Sequence, residues 1–187
     1  MLTKALVLVE GLSDKIALEA LAPRLGLDLA AAGVEILVMA GAHAIDRTLK
    51  SVAADQPGVP VFGLCDAGEE GVFRRAVERA GLGRPVTRAD LEQAGFFVCV
   101  RDLEEELIRA VGPPNVEKLV EGQGELGRLR TMQKEPSWRG RPLDSQLHRY
   151  ICNSYRKARY APLLVGALDA DSVPHPLAGV LTRAAKA

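Results

Sequence analysis

Aromatic residues make up only 4% of this 187-residue chain, so large rings cannot fill its interior, and Ala, Leu and Val must build the core. Cysteine is scarce too: Cys65, Cys99 and Cys152 are the only three. Their odd number, the lack of a CxxC pair and the apolar runs around two of them exclude a disulfide framework and point to a reduced, cytoplasmic protein. No uninterrupted apolar segment reaches the roughly 20 residues that span a bilayer, so no membrane anchor is expected. The first apolar stretch soon meets Glu10 and Asp14, which is unlike a signal peptide. Net charge is lacking as well. The chain carries 24 basic and 24 acidic residues, and that total names no partner. There is no internal repeat and no low-complexity tract.

What is present is an alternation of strand and helix signals. "KALVLVEG" reads as a buried strand over about residues 4 to 9. "SDKIALEALAPRLG" follows as a helix with Ser13 as its N-cap, shortened or kinked by Pro23. "VEILVMAG", "VPVFGLC" and "GFFVCV" read as three more strands, and "HAIDRTLKSVA", "EEGVFRRAVERAG" and "DLEEELIRAVG" as the helices after each strand. Strands apolar along their whole length, alternating with helices, predict an α/β fold: a parallel four-stranded sheet flanked by helices. Residues 1–112 make that core. Residues 113–187 read as a mainly helical extension packed on it.

Parallel sheets bind ligands beyond the carboxyl ends of their strands, and the acids fall there. Glu10 ends the first strand and Asp14 opens the next helix. Asp66 ends the third strand, with Glu69 and Glu70 after it. Asp102, Glu104, Glu105 and Glu106 follow the fourth. Carboxylates crowded in a low dielectric repel each other. A divalent cation such as Mg2+, which takes hard oxygen ligands, relieves that repulsion. Acids in a first helical turn also serve the helix dipole and cap free N–H groups, and for Glu69 and Glu104–Glu106 both readings stand.

"LVLVEGLSDKIALEAL" resembles the first motif of the Toprim domain, a Rossmann-like catalytic fold shared by topoisomerases, DnaG-type primases and nucleases of the OLD family. "LCDAGEEG" resembles its second motif, Asp-x-Asp-x-x-Gly. The "EGxSD" form is most similar to the OLD type. "DLEEEL" resembles the acidic segment after the fourth strand in that group, and "YRKARYAPLL" its late lysine-bearing helix. The resemblance implies phosphodiester hydrolysis on nucleic acid, DNA rather than RNA, with one or two Mg2+ or Mn2+ ions. By that resemblance Glu10, Asp66 and Lys157 are catalytic, and Glu10, Asp14, Asp66, Glu70 and Glu104 hold metal. One departure stands out: Gly68 occupies the second Asp position. Glu70, four residues after Asp66, is the expected substitute. OLD enzymes also carry an ATPase. This chain has no GxxxxGK[ST] sequence, so an ATPase partner would be a separate chain. A homodimer is compatible with the resemblance.

From Arg128 to Tyr160 the chain carries nine Lys and Arg against two acids, together with its only Trp and all three Tyr. Basic groups neutralise phosphates and aromatics stack on bases, which makes Arg128, Arg130, Lys134, Arg139, Arg141 and Arg156 candidate nucleic-acid contacts. A solvated helical cap explains the same residues. His43 follows the second strand and could approach the cleft. His148 and His175 have no partner at metal-ligand spacing, and no nucleophilic triad is evident. A nuclease is therefore expected. The alternative is a catalytically degenerate module that binds nucleic acid, a nucleotide or a protein. A Rossmann cofactor protein would need GxGxxG where "VEGLSDK" stands, and two acids there would repel a pyrophosphate.

Overall fold

The structure, a computed structural model, describes residues 3–187. Four strands, β1 (Ala5–Val9), β2 (Val34–Val38), β3 (Val61–Cys65) and β4 (Phe96–Val98), form one sheet in the order β2-β1-β3-β4. All pairings are parallel, with Val7 opposite both Ile36 and Phe62, and Gly63 opposite Phe96. Side chains alternate across the sheet with period two. Val7, Val9, Phe62, Leu64, Phe97 and Cys99 face one core, and Leu8, Cys65, Phe96 and Val98 face the other. That double burial is why the strands read as continuous apolar runs.

Helix α1 (Leu12–Leu21) follows β1 and stops where Pro23 enters a short 3₁₀ turn. A four-residue helix α2 (Leu29–Ala32) leads into β2. Helices α3 (Ile45–Asp55) and α4 (Glu70–Arg79) cover one face. Helix α5 (Arg88–Gln93) precedes β4 and α6 (Leu103–Val111) follows it. The chain then turns at Gly112, whose φ of 84° suits glycine. Five more helices follow: α7 (Pro113–Gly122), α8 (Leu126–Lys134), α9 (Leu143–Ile151), α10 (Ser154–Gly166) and α11 (His175–Ala184). Val116, Leu129, Leu147, Tyr160, Leu164, Leu177 and Val180 from these helices lie in the same core cluster as Val7 and Leu18. Helix α10 packs along α1, and α11 lies against β3 and β4.

The interior agrees with the scarcity of rings. Phe73, Phe96 and Tyr160 are fully buried, but Leu, Val and Ala supply most of the core. All three cysteines are free. Among the described residues no helix is long and apolar enough to cross a membrane. The first helix corrects one reading. Ser13 is not its cap; Gly11 is, and Asp14 Oδ2 accepts the Gly11 N–H at 2.8 Å.

Candidate metal centre and catalytic edge

The parallel register delivers Glu10, Asp66 and the Asp102 loop to one edge of the sheet. Glu10 follows β1 directly, and its Oε1 accepts the Asp66 N–H at 3.2 Å. That bond ties the end of β1 to the end of β3. Asp102 caps α6, where Oδ1 accepts the Glu105 N–H at 2.8 Å. Within the first turn of α6, Glu104 points inward and is only 3% exposed. Its Oε2 accepts from Lys157 Nζ at 2.9 Å. Its Oε1 is buried with no hydrogen-bond partner among the described residues. Lys157 comes from the first turns of α10, so the helical extension supplies a lysine ammonium to this edge.

Electrostatics shows how close these groups stand. Burial raises the Asp66 carboxyl to about 8, and Glu10, Asp14, Asp102 and Glu104 add repulsion. Burial likewise lifts Asp14 to about 6, helped by Glu104 and Glu10 and opposed by the Gly11 N–H. Glu10 is raised by burial, and the Asp66 N–H, Lys157 and His43 partly offset that rise. Burial alone would lower Lys157, but the hydrogen bond and charge of Glu104 outweigh it and hold the ammonium charged. Negative charge is thus in excess over its partners, which is the condition a cation relieves.

The edge therefore brings together Glu10, Asp14, Asp66, Glu104 and Lys157. It does not bring in Glu70. That carboxylate is held by Arg74 and by Arg88, the latter at 2.8 Å. The hydrogen bond from Arg88 is the main reason its pKa is lowered. Gly68 is exposed, and a Cβ placed there would meet no atom within 4 Å. The second position of the Asp-x-Asp motif is open space.

The basic segment divides. Arg128, Arg130, Lys134, Arg139 and Arg141 are exposed. Arg130 pairs with Glu117 at 2.8 Å, and Arg139 and Arg141 donate to the Lys134 and Ser137 carbonyls. Arg141 also lies over the Trp138 ring. Arg156 is turned inward, where it bonds the buried Glu125 carboxylate and stacks on Tyr150. Glu125 also accepts from Tyr150, Tyr160 and Arg159. Two of the three tyrosines thus satisfy a buried acid, and Tyr155 alone is exposed. Sequence reasoning also missed the partners of His148. His148 does have partners: Asp102 Oδ2 at 2.6 Å and Cys152 Sγ at 3.2 Å. Asp102 is 46 residues away in sequence, but Cys152, four residues on, was in view as an i, i+4 neighbour.

The parallel β2-β1-β3-β4 sheet flanked by helices is a Toprim-like fold. Comparison with known proteins narrows it. Residues 1–67 match the family model "Overcoming lysogenization defect protein-like, TOPRIM domain". The fold is similar to the C-terminal region of the Burkholderia pseudomallei OLD protein, with a TM-score of 0.72 and 20% identity over 100% of this chain and 98% of that one. It is also similar to the C-terminal region of the Xanthomonas campestris pv. campestris OLD protein, with a TM-score of 0.68 and 21% identity over 98% of this chain and 95% of that one. No curated protein sequence matches the chain significantly. Residues 1–67 thus resemble an OLD-like Toprim domain, and the whole chain shares the fold of the OLD C-terminal regions.

Proposed function

We propose that this chain is a divalent-metal-dependent nuclease that nicks or cleaves DNA. The observation that carries the reading is the excess of carboxylate at one sheet edge beside a single charged lysine. Mg2+ or Mn2+ fits that edge. The donors of Glu10, Asp14, Asp66 and Glu104 are all hard oxygens, and Glu104 Oε1 is buried without a partner among the described residues. Those four residues would hold the metal, which would supply charge neutralisation and polarisation of phosphate and water. The chain's own groups do the rest. Glu10 locks the Asp66 backbone in place. Glu104 positions the Lys157 ammonium, which faces charge developing on a phosphate oxygen. The neutral total is no obstacle, because exposed Arg128, Lys134, Arg139 and Arg141 gather on the extension.

The test is plasmid nicking with Mg2+, Mn2+ or EDTA, beside Glu10→Ala and Asp66→Ala. Metal-dependent nicking should fall at least about 100-fold in both variants. Equal trace activity in all three proteins refutes the nuclease. A second reading, a binding module without catalysis, draws on the empty second Asp position at Gly68 and on the pairing of Glu70 with arginines. It is favoured if the protein binds DNA with metal but never cuts it.

A further inference from the structure

Beside the all-oxygen edge lies a cluster of different chemistry. One donor atom each from Asp102, His148 and Cys152 lie within 4.8 Å of one another. His148 is in the last turn of α9, and Cys152, four residues later, caps that helix, a spacing that puts both on one face. Asp102 meets them from the start of α6. The contacts converge on a single atom, since both Asp102 Oδ2 and Cys152 Sγ approach His148 Nε2. That nitrogen has one in-plane direction. It can donate to the carboxylate or accept from the thiol, but not both. With Nε2–H donating to Asp102, the Cys152 sulfur takes at most a weak share of that bond, so hydrogen bonding engages the three groups unequally.

A metal ion resolves this. We propose that Asp102, His148 and Cys152 form a Zn2+-class site, with water as the fourth ligand, that pins the end of α9 to the catalytic edge. A mixed oxygen, nitrogen and sulfur set suits Zn2+ or Co2+ and not Mg2+. On a tetrahedral ion the ligand atoms would stand about 3.4–3.6 Å apart, so the Asp102 and Cys152 contacts to His148 need only open by less than about 1 Å. His148 also lines a cavity of about 370 Å³ with Arg101, Asp144 and Ser145, which Asp102 and Cys152 do not line. Burial, with the charges of Glu104 and Asp102, pushes the Cys152 thiol up to about 12, a rise that a bound cation would offset. On binding, the Cys152 thiol loses its proton to solvent and the sulfur becomes the ligand. His148 binds through Nε2 and keeps its proton on Nδ1. The site does not require the nuclease reading, although Asp102 lies at the acidic edge that reading uses.

The test is optical. Metal-free protein is titrated with Co2+ in excess Mg2+, and sulfur-to-cobalt charge-transfer absorption is followed in the near ultraviolet. One equivalent per chain should produce the band, and Zn2+ should abolish it. Cys152→Ser should remove the band, and His148→Gln should weaken binding at least tenfold. Glu10→Ala with Asp66→Ala should leave the band in place. Zn2+ should raise the melting temperature of the wild type but not of Cys152→Ser. No band in the wild type, or a band that persists in Cys152→Ser, overturns the proposal.

Discussion

Gly68 and Glu70 decide how the segment that resembles a second Toprim motif works. The sequence offered Glu70 as a stand-in for the absent Asp, because four residues make one helical turn. The fold spends that carboxylate on Arg74 and Arg88. Glu70→Gln should therefore leave metal-dependent nicking within about twofold of wild type, with a stability loss of about 1 kcal/mol or less. Gly68→Asp should be tolerated, because a side chain there meets open space and the backbone is not left-handed. It restores a carboxylate beside Asp66, so the Mn2+ concentration for half-maximal nicking should fall several-fold. If Glu70→Gln abolishes nicking instead, the carboxylate leaves its arginines when metal binds.

At the scale of elements, the α/β alternation was legible because both faces of the sheet are buried, which makes each strand an unbroken apolar run. The acids at the strand ends were legible for the same reason, since a parallel sheet fixes which ends meet. The inward turn of Arg156 was not. It depends on Glu125, a buried acid 31 residues earlier that no local pattern marks. The Asp102–His148 contact spans 46 residues and was equally hidden. Helix α11 also went unread as a face. A Cβ at Gly179 would overlap the Phe97 ring, so α11 sits on the sheet only because that residue is small. Gly179→Ala should cost about 1–3 kcal/mol, read as a lower urea midpoint with an unchanged m-value. In the segment after α8, Arg139 and Arg141 remain exposed. Replacing both with Ala should weaken DNA binding and reduce its salt slope by about 2. An unchanged slope removes them from the interface.

The whole molecule balances its charge while concentrating acid in one place, and the consequence is a pH dependence of an unusual sign. Asp66 is pushed up to about 8 and Asp14 to about 6, and Glu10 is raised as well. In the unfolded chain these groups return to the ordinary carboxylate range. Between about pH 4 and pH 8 the folded state therefore binds more protons than the unfolded state, and stability falls as pH rises. Without divalent metal, the melting temperature should drop from about pH 5 to about pH 8.5. A bound cation replaces those protons, so Mn2+ should stabilise the protein strongly at about pH 8 and weakly at about pH 5. Asp66→Asn removes the group with the largest rise, so it should flatten the metal-free pH profile and shrink the Mn2+ effect. Calorimetry at both pH values with EDTA or Mn2+ checks this. A metal-free melting temperature that rises over that interval would show that the carboxylates are not crowded as described. An equal Mn2+ effect in wild type and Asp66→Asn would place the ion elsewhere.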